Sequence, residues 1–192
     1  MTDYARLSDA ELISRCLEQD AEAWEVLVRR YQRLIASITF KYKLSREDAA
    51  DILQSVCFTL FQQLPSLRKQ DKLSSWIITV AARECWKFTR QKVRTDSFDD
   101  PEQERILDLA DEASVLADDS LLEIERQHFI RRAVESLADQ CRQLIEQLFF
   151  RDEPLAYTEI SRQLGMPVAS IGPTRARCLE KLKSGLQKIG FF

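Results

Sequence analysis

The sequence predicts an all-α fold of two small helical domains joined by an acidic linker, and three observations predict it. Apolar residues recur at three- and four-residue intervals along most of the chain, no β-like run has a partner strand, and the charge balance reverses in the middle. Residues 1–94 hold 16 basic and 12 acidic residues, net +4, whereas 95–125 hold 1 and 12, net −11. The balance is 4 to 3 over 126–150 and 7 to 4 over 151–192. Two mildly basic modules therefore flank an acidic tether, an asymmetry that the overall charge of −3 conceals and that points to a polyanion at both ends. With 192 residues and 45% apolar content the chain can bury one ordinary core or two small ones, and the spacing favours two.

Leu12, Ile13 and Leu17, then Trp24, Leu27, Val28, Leu34, Ile35 and Ile38, lie at helical spacing on either side of "EQDAEAW". Asp20 is placed there to cap the second helix of a hairpin. In "SREDAADILQSVCFTLFQQL" Ser45 is the N-cap and Asp48 the carboxylate at the third helical position. Ala49, Ile52, Leu53, Val56, Cys57, Leu60, Phe61 and Leu64 form one broad apolar stripe, and Pro65 ends the helix. After "SLRKQDKL" the run "SSWIITVAARECWKFTRQKVR" reads as helix, capped by Ser74 or Ser75 and closing on a basic turn that suits the helix dipole. The acid-rich composition from Thr95 to about Glu125, with Pro101, marks the boundary, although "RILDLADEASVL" has some helical period. A second helical module runs from about Ser120 through "HFIRRAVESLADQCRQLIEQLFF", breaks at "RDEPLA" and ends in "YTEISRQLGMPVASIGPTRARCLEKL". The domains expected are 1–94, an acidic linker over 95–125, and 126–192.

Several function classes start badly. His128 is the only histidine and no phosphate-cradling glycine loop is present, so no catalytic residue, cofactor or metal is expected. Cys16, Cys57, Cys85, Cys141 and Cys178 are scattered without a CxxC pair, which suits reduced thiols filling core space better than a disulfide framework. No apolar run reaches the roughly 18 residues of a membrane span and Met1 to Asp20 lacks the order of a secretory signal, so a cytoplasmic location is expected.

The last stretch has helix-turn-helix form. Tyr157, Ile160 and Leu164 share one face of a short helix, Gly165 permits a positive-φ turn, Ser161 is small at the crossing, and Val168 and Ile171 begin the next apolar face. That face continues through Cys178, Leu179, Leu182 and Leu186, turning Thr174, Arg177 and Lys181 outward with Arg175 at their flank. Such a row suits base edges and phosphates in a major groove; a solvated face on a structural hairpin is the alternative. With Ser170 as N-cap, Pro173 falls at the third position, where its missing N–H has no intrahelical partner; with a start at Val168 it sits deeper and should bend the helix. Residues 66–94 carry Arg68, Lys69, Lys72, Arg83, Lys87, Arg90, Lys92 and Arg94 against Asp71 and Glu84, with Trp76, Trp86 and Phe88 interleaved. Cations beside rings fit single-stranded nucleic acid, unless Trp76 and Phe88 are core.

These stretches together resemble the extracytoplasmic-function group of the sigma-70 family. "DAELISRCLEQDAEAWEVLVRRYQRLIASI" is similar to region 2.1, "SREDAADILQSVCFTLFQQL" to region 2.2, "KLSSWIITVAARECWKFTRQKVR" to regions 2.3 and 2.4, and "ESLADQCRQLIEQLFF" onward to region 4. The resemblance implies a factor that binds core RNA polymerase at the β′ coiled coil and β flap and directs initiation at promoter DNA. It assigns polymerase binding to Asp48, Asp51 and Gln54, and minus-35 recognition to Ser170, Thr174, Arg175, Arg177 and Lys181. Minus-10 capture falls to Arg68, Lys69, Lys72, Trp76, Arg83, Trp86, Lys87 and Arg90. Arg83 and Lys87 replace the Asn and Asp of many members, and Gly172 and Pro173 stand where members often have an arginine and a serine. The acidic linker takes the place of a connector threading the polymerase's RNA path, as an RNA mimic or a plain spacer. An anti-sigma factor is a further partner the resemblance allows. A stand-alone helix-turn-helix regulator is the rival reading, and a polymerase-binding decoy without promoter recognition is a third.

Overall fold

The computed structural model describes residues 4, 7–67, 73–96, 119–151, 153–189 and 191, with backbone alone at 93–96. Among these there are eight α-helices and no strand, and the chain divides into two compact units, Met1–Glu125 and Arg126–Phe192.

Local capping chemistry starts the helices of the first unit. Helix α1 (Asp9–Leu17) begins with a capping box, in which the Ser8 N–H donates to Glu11 Oε2 at 2.7 Å and the Glu11 N–H to Ser8 Oγ at 3.2 Å. It ends on a left-handed residue, Gln19 (φ 66), which returns the chain to Asp20. Asp20 Oδ1 accepts from the N–H groups of Glu22 at 3.0 Å and Ala23 at 3.1 Å, starting α2 (Ala21–Lys41), while Oδ2 accepts from the Tyr4 hydroxyl at 2.7 Å. Asp9 fastens α1 to α2, receiving Arg30 and the Tyr31 hydroxyl at 2.6 Å each. Ser45 accepts from the Asp48 N–H at 3.1 Å and caps α3 (Arg46–Gln63), which stops in a 3-10 turn, Leu64–Ser66, containing Pro65.

One core joins these helices to α4 (Leu73–Asp96). Leu12 and Ile13 meet Leu27, Leu34 and Ile38 of α2, Ile52, Val56 and Leu60 of α3, and Ile77, Ala81 and Cys85 of α4. Each of the leucine, isoleucine and valine side chains among them contributes about 1.5–3 kcal/mol by leaving water, so this burial rather than helix propensity holds the β-branched run at Ile77–Val80 in helix. Leu121 of α5 (Asp119–Glu135) also joins that core, and Glu125 accepts from Ser74 Oγ at 2.9 Å and Ser75 Oγ at 2.7 Å. The expected cap at Ser74 or Ser75 is thus corrected: Leu73 is already helical, and both hydroxyls serve a carboxylate some 50 positions along the chain. The end of the acidic segment, 119–125, is helix, whereas "RILDLADEASVL" lies outside the described residues.

Two further corrections concern exposure. Leu17 and Phe61, expected in the core, are 47% and 64% exposed, and Phe61 meets Trp24 edge-on with ring centroids 5.6 Å apart. Once Ile52, Val56, Leu60 and Leu64 have filled the interface of α3, the margin of its broad stripe has nothing left to pack against.

The second unit comprises the rest of α5 with α6 (Asp139–Phe149), α7 (Tyr157–Leu164) and α8 (Val168–Lys188). Its N-caps are Ala138, Ala156 and Pro167, none of which supplies a capping side chain. Its packing is divided between two small clusters. Val134, Leu137, Cys141, Ile145 and Cys178 form one, and Leu144, Ile160, Met166 and Ile171 form the other, so α6 and α8 each contribute to both. Cys141 and Cys178 are joined by a disulfide across a Cα separation of 5.4 Å. This corrects the expectation of five reduced thiols: each cysteine lies on its helix's apolar stripe, and packing of the two stripes makes neighbours of residues 37 apart in sequence. Cys16, Cys57 and Cys85 are free. No helix among the described residues is long and apolar enough to cross a membrane, and no His, Cys, Asp and Glu group among them could hold a metal ion.

The capping carboxylates make the first unit sensitive to acid. Hydrogen bonds from Ser8 hold Glu11 below its ordinary range; the Tyr4 hydroxyl and then the Ala23 N–H do so for Asp20, and Ser45 and then Lys92 for Asp48. Groups whose folded pKa is depressed add stability that is present above the unfolded pKa and lost as pH falls through the folded one. Thermal melts between about pH 6 and about pH 3 are expected to hold steady down to about pH 4 and fall below it. Asp20→Asn should flatten part of that fall, and a wild-type profile with no fall contradicts the assignment.

Candidate nucleic-acid interface

In the second unit α7 and α8 are joined by a short turn. Gly165 closes α7 in the left-handed region (φ 62, ψ 31), and the Ser161 hydroxyl donates to the Met166 carbonyl at 2.6 Å, fastening the turn to α7. Ile160, Met166 and Ile171 are buried beneath it. A Cβ added at Gly165 meets nothing within 4 Å, so Gly165→Ala is expected to cost only the backbone strain, about 1–2 kcal/mol. Gly165→Asn should cost less, because Asn visits that region more readily. Denaturant unfolding checks both, and an alanine variant as stable as wild type contradicts the turn.

Ser170 is not the N-cap: α8 begins at Val168 after Pro167, and the Ser170 hydroxyl donates to the Pro167 carbonyl at 2.7 Å. Pro167 is the N-cap, with a non-helical backbone (φ −58, ψ 138), so Ser170 already lies within the first turn of the helix. Pro173 therefore sits inside the helix, which continues through it to Lys188 although the Ala169 carbonyl loses its usual N–H donor there. Buried Ile171, Cys178 and Leu186 form the inner face. Leu179, expected beside them, is 38% exposed, since it lies one position round from Cys178.

Beside that inner face Ser170 and Thr174 are half-buried, and Arg177 and Lys181 are exposed, all following one another at helical intervals of four, three and four. Arg177 Nη2 donates to Thr174 Oγ1 at 3.3 Å. Arg175 points aside, its Nη1 donating to the Tyr157 hydroxyl at 2.9 Å, so the start of α7 orients the flank of the row. That bond links residues on different helices, and only Tyr157's place at the head of α7 hinted at it. Glu159 pairs with Arg162 at 2.6 Å, and this guanidinium holds its carboxyl below the usual range.

In the first unit Arg83, Lys87 and Arg90 follow one face of α4, with Lys87 3.1 Å from Glu84. The aromatic side chains are less open than the sequence suggested. Trp76 and Phe88 pack against the core, and Trp86 is half-buried with the Arg90 guanidinium 5.2 Å from its ring centroid. The Trp86 indole N–H is buried with no acceptor among the described residues. Lys92 lies 5.8 Å from the Phe88 ring centroid and 3.3 Å from Asp48. Arg68, Lys69 and Lys72 lie outside the described residues.

On α3, Asp51 and Gln54 are exposed, whereas Asp48 is half-buried and engaged by Lys92. Phe58 and Phe61, 61% and 64% exposed, continue the Asp51–Gln54 face at helical spacing, which the sequence reading missed. The signal was a stripe too wide for one buried interface.

A helix-turn-helix with a basic row, on a chain with a second helical unit carrying basic residues along α4, is an arrangement that suits nucleic acid. Residues 27–95 match the family model for Sigma-70 region 2. Over nearly its whole length the chain is similar to ECF RNA polymerase sigma-E factors. That of Haemophilus influenzae is 21% identical over 193 residues, 96% of this chain and 98% of that protein. Those of Escherichia coli strain K12 and Salmonella typhimurium strain LT2 are each 23% identical over 189 residues, 96% of this chain and 97% of theirs. The similarity to the sigma-70 family thus lies in region 2 over residues 27–95, and similarity to extracytoplasmic-function sigma factors extends over nearly the whole chain.

Proposed function

We propose that this sigma factor binds core RNA polymerase in the cytoplasm and reads the minus-35 element as duplex with the module 126–192. The module 1–94 melts and captures the minus-10 element. The observation that carries the reading is α8, whose exposed Arg177 and Lys181 form a row with half-buried Thr174, supported by buried Ile171 and Cys178. A row so supported can enter a major groove without the helix giving way behind it. Arg177 and Lys181 supply charge-assisted contacts, and Arg175, steered by Tyr157, serves the adjoining phosphates. For the minus-10 strand, Arg83, Lys87 and Arg90 track phosphates along α4, and Arg68, Lys69 and Lys72, outside the described residues, are assigned to the same strand. Base capture rests on the partly exposed rims of Trp76 and Trp86.

Polymerase contact falls to Asp51 and Gln54 toward the β′ coiled coil, with Phe58 and Phe61 extending the surface, and to the second module toward the β flap. The functional logic follows from magnitudes. A duplex reader with about four cationic contacts binds weakly at physiological salt. Two such readers held apart at promoter spacing gain through effective concentration. The acidic stretch 95–125 serves as their connector, and an anti-sigma factor is a further partner of the same surfaces. The chain contributes positioning and electrostatics, with bond making left to the polymerase.

Size-exclusion chromatography with purified core polymerase and fluorescence anisotropy on duplex DNA test this together. Stoichiometric co-elution, with duplex binding that is weak for the chain alone, is expected. A stand-alone regulator predicts the reverse: no co-elution and tight binding to a palindromic site without polymerase.

A further inference from the structure

The disulfide joins the two helices on which the reading surface depends. Cys178 is fully buried between Arg177 and Leu179 of α8, and Cys141 of α6 is 8% exposed. Apart from packing, the bridge is the one covalent tie among the described residues that holds α8 to α6. Pro173 lies between the two buried anchors Ile171 and Cys178, where the missing N–H weakens the helix ladder. The unit is small, its core is split in two, and its helices lack capping side chains, so packing alone restrains α8 weakly.

We propose that Cys141 and Cys178 form a thiol–disulfide switch, the bridged form holding α8 in place for minus-35 duplex and the dithiol form releasing it. Reduction proceeds by exchange with a dithiol. A reductant thiolate attacks Cys141 Sγ, whose residue is 8% exposed where Cys178 is 0%, forming a mixed disulfide while Cys178 leaves as a thiolate and takes up a proton. The reductant's second thiolate attacks its own sulfur in that mixed disulfide, closing the reductant's disulfide and expelling Cys141, which is protonated in turn. Two electrons and two protons pass to the protein, and an oxidised low-molecular-weight disulfide drives the same steps backwards. A cytosol normally poised to keep thiols reduced makes the bridged form the signal of oxidation. The other thiols stay out of the exchange: burial pushes Cys85 up to about 12 and Cys16 to about 11, and raises Cys57.

The proposal rests on the promoter-reading function above, and the test separates the two. Full-length protein is equilibrated with dithiothreitol or with oxidised glutathione and desalted. Bridging is read by alkylation and peptide mass spectrometry, and anisotropy on minus-35 duplex and run-off transcription with core polymerase follow. A cross-linked Cys141–Cys178 peptide in the oxidised sample, with about fivefold or greater loss of duplex affinity on reduction, is expected. Cys141→Ala and Cys178→Ala should each bind like the reduced protein and ignore redox state, while Cys57→Ala should respond like wild type. Absence of the cross-linked peptide overturns the switch, as does equal affinity in both states with transcription intact. Failure to initiate in either state overturns the sigma reading itself, whatever the peptides show.

Discussion

Replacing Arg175 and Arg177 together with alanine is expected to abolish promoter-directed initiation while leaving core polymerase binding unchanged. Arg177 sits in the row and Arg175 at its flank, and both side chains are exposed, so neither is part of the buried core. Each good arginine contact to DNA contributes about 1–3 kcal/mol, so losing both should weaken minus-35 affinity by at least about 30-fold. Tyr157→Phe provides an internal check, because it removes only the hydroxyl that receives Arg175 at 2.9 Å. A smaller loss is expected there, confined to the Arg175 share. Run-off transcription alongside co-elution with polymerase measures both quantities. Undiminished initiation by the double variant would place recognition elsewhere on the chain.

The second large effect is expected on α3. Phe58→Ala combined with Asp51→Lys should lower affinity for core polymerase by about 30-fold or more, since truncating an aromatic anchor commonly costs about 2 kcal/mol and the reversed charge adds repulsion. Both side chains are exposed, so the thermal melt should barely move. Isothermal titration against core polymerase supplies the affinity. An unchanged affinity would remove α3 from the polymerase-facing surface. A large fall in melting temperature would instead show that Phe58 is a packing residue.

How far these surfaces were legible in the sequence depends on the distance over which each feature is determined. Asp20, Ser45 and Gly165 act on backbone groups within a few residues, so their roles could be read directly and recur in the structure. The apolar stripes through Leu12, Leu27, Leu34, Ile52 and Val56 were equally plain, because helical period and burial coincide there. Features set by distant partners were not. Ser74 and Ser75 look like caps until Glu125 is placed beside them, and Cys141 and Cys178 look like isolated core thiols until α6 packs on α8. Phe61 and Leu179 were misassigned because periodicity tells which face is apolar and not how much of it finds a partner. On the surfaces proposed to face DNA, the charges along α4 and α8 were visible as composition. The turning of Arg90 over Trp86 and of Arg175 toward Tyr157 needed coordinates.

The central claim is that two modest basic modules select a promoter only in partnership with core polymerase. Run-off transcription with purified core polymerase on a randomised promoter library, sequenced at the transcript starts, tests it most directly. Added protein is expected to create start sites sharing one pair of motifs at fixed spacing, and none should appear with polymerase or the chain alone. No new start sites, or selection of the same DNA motif by the chain without polymerase, would contradict it.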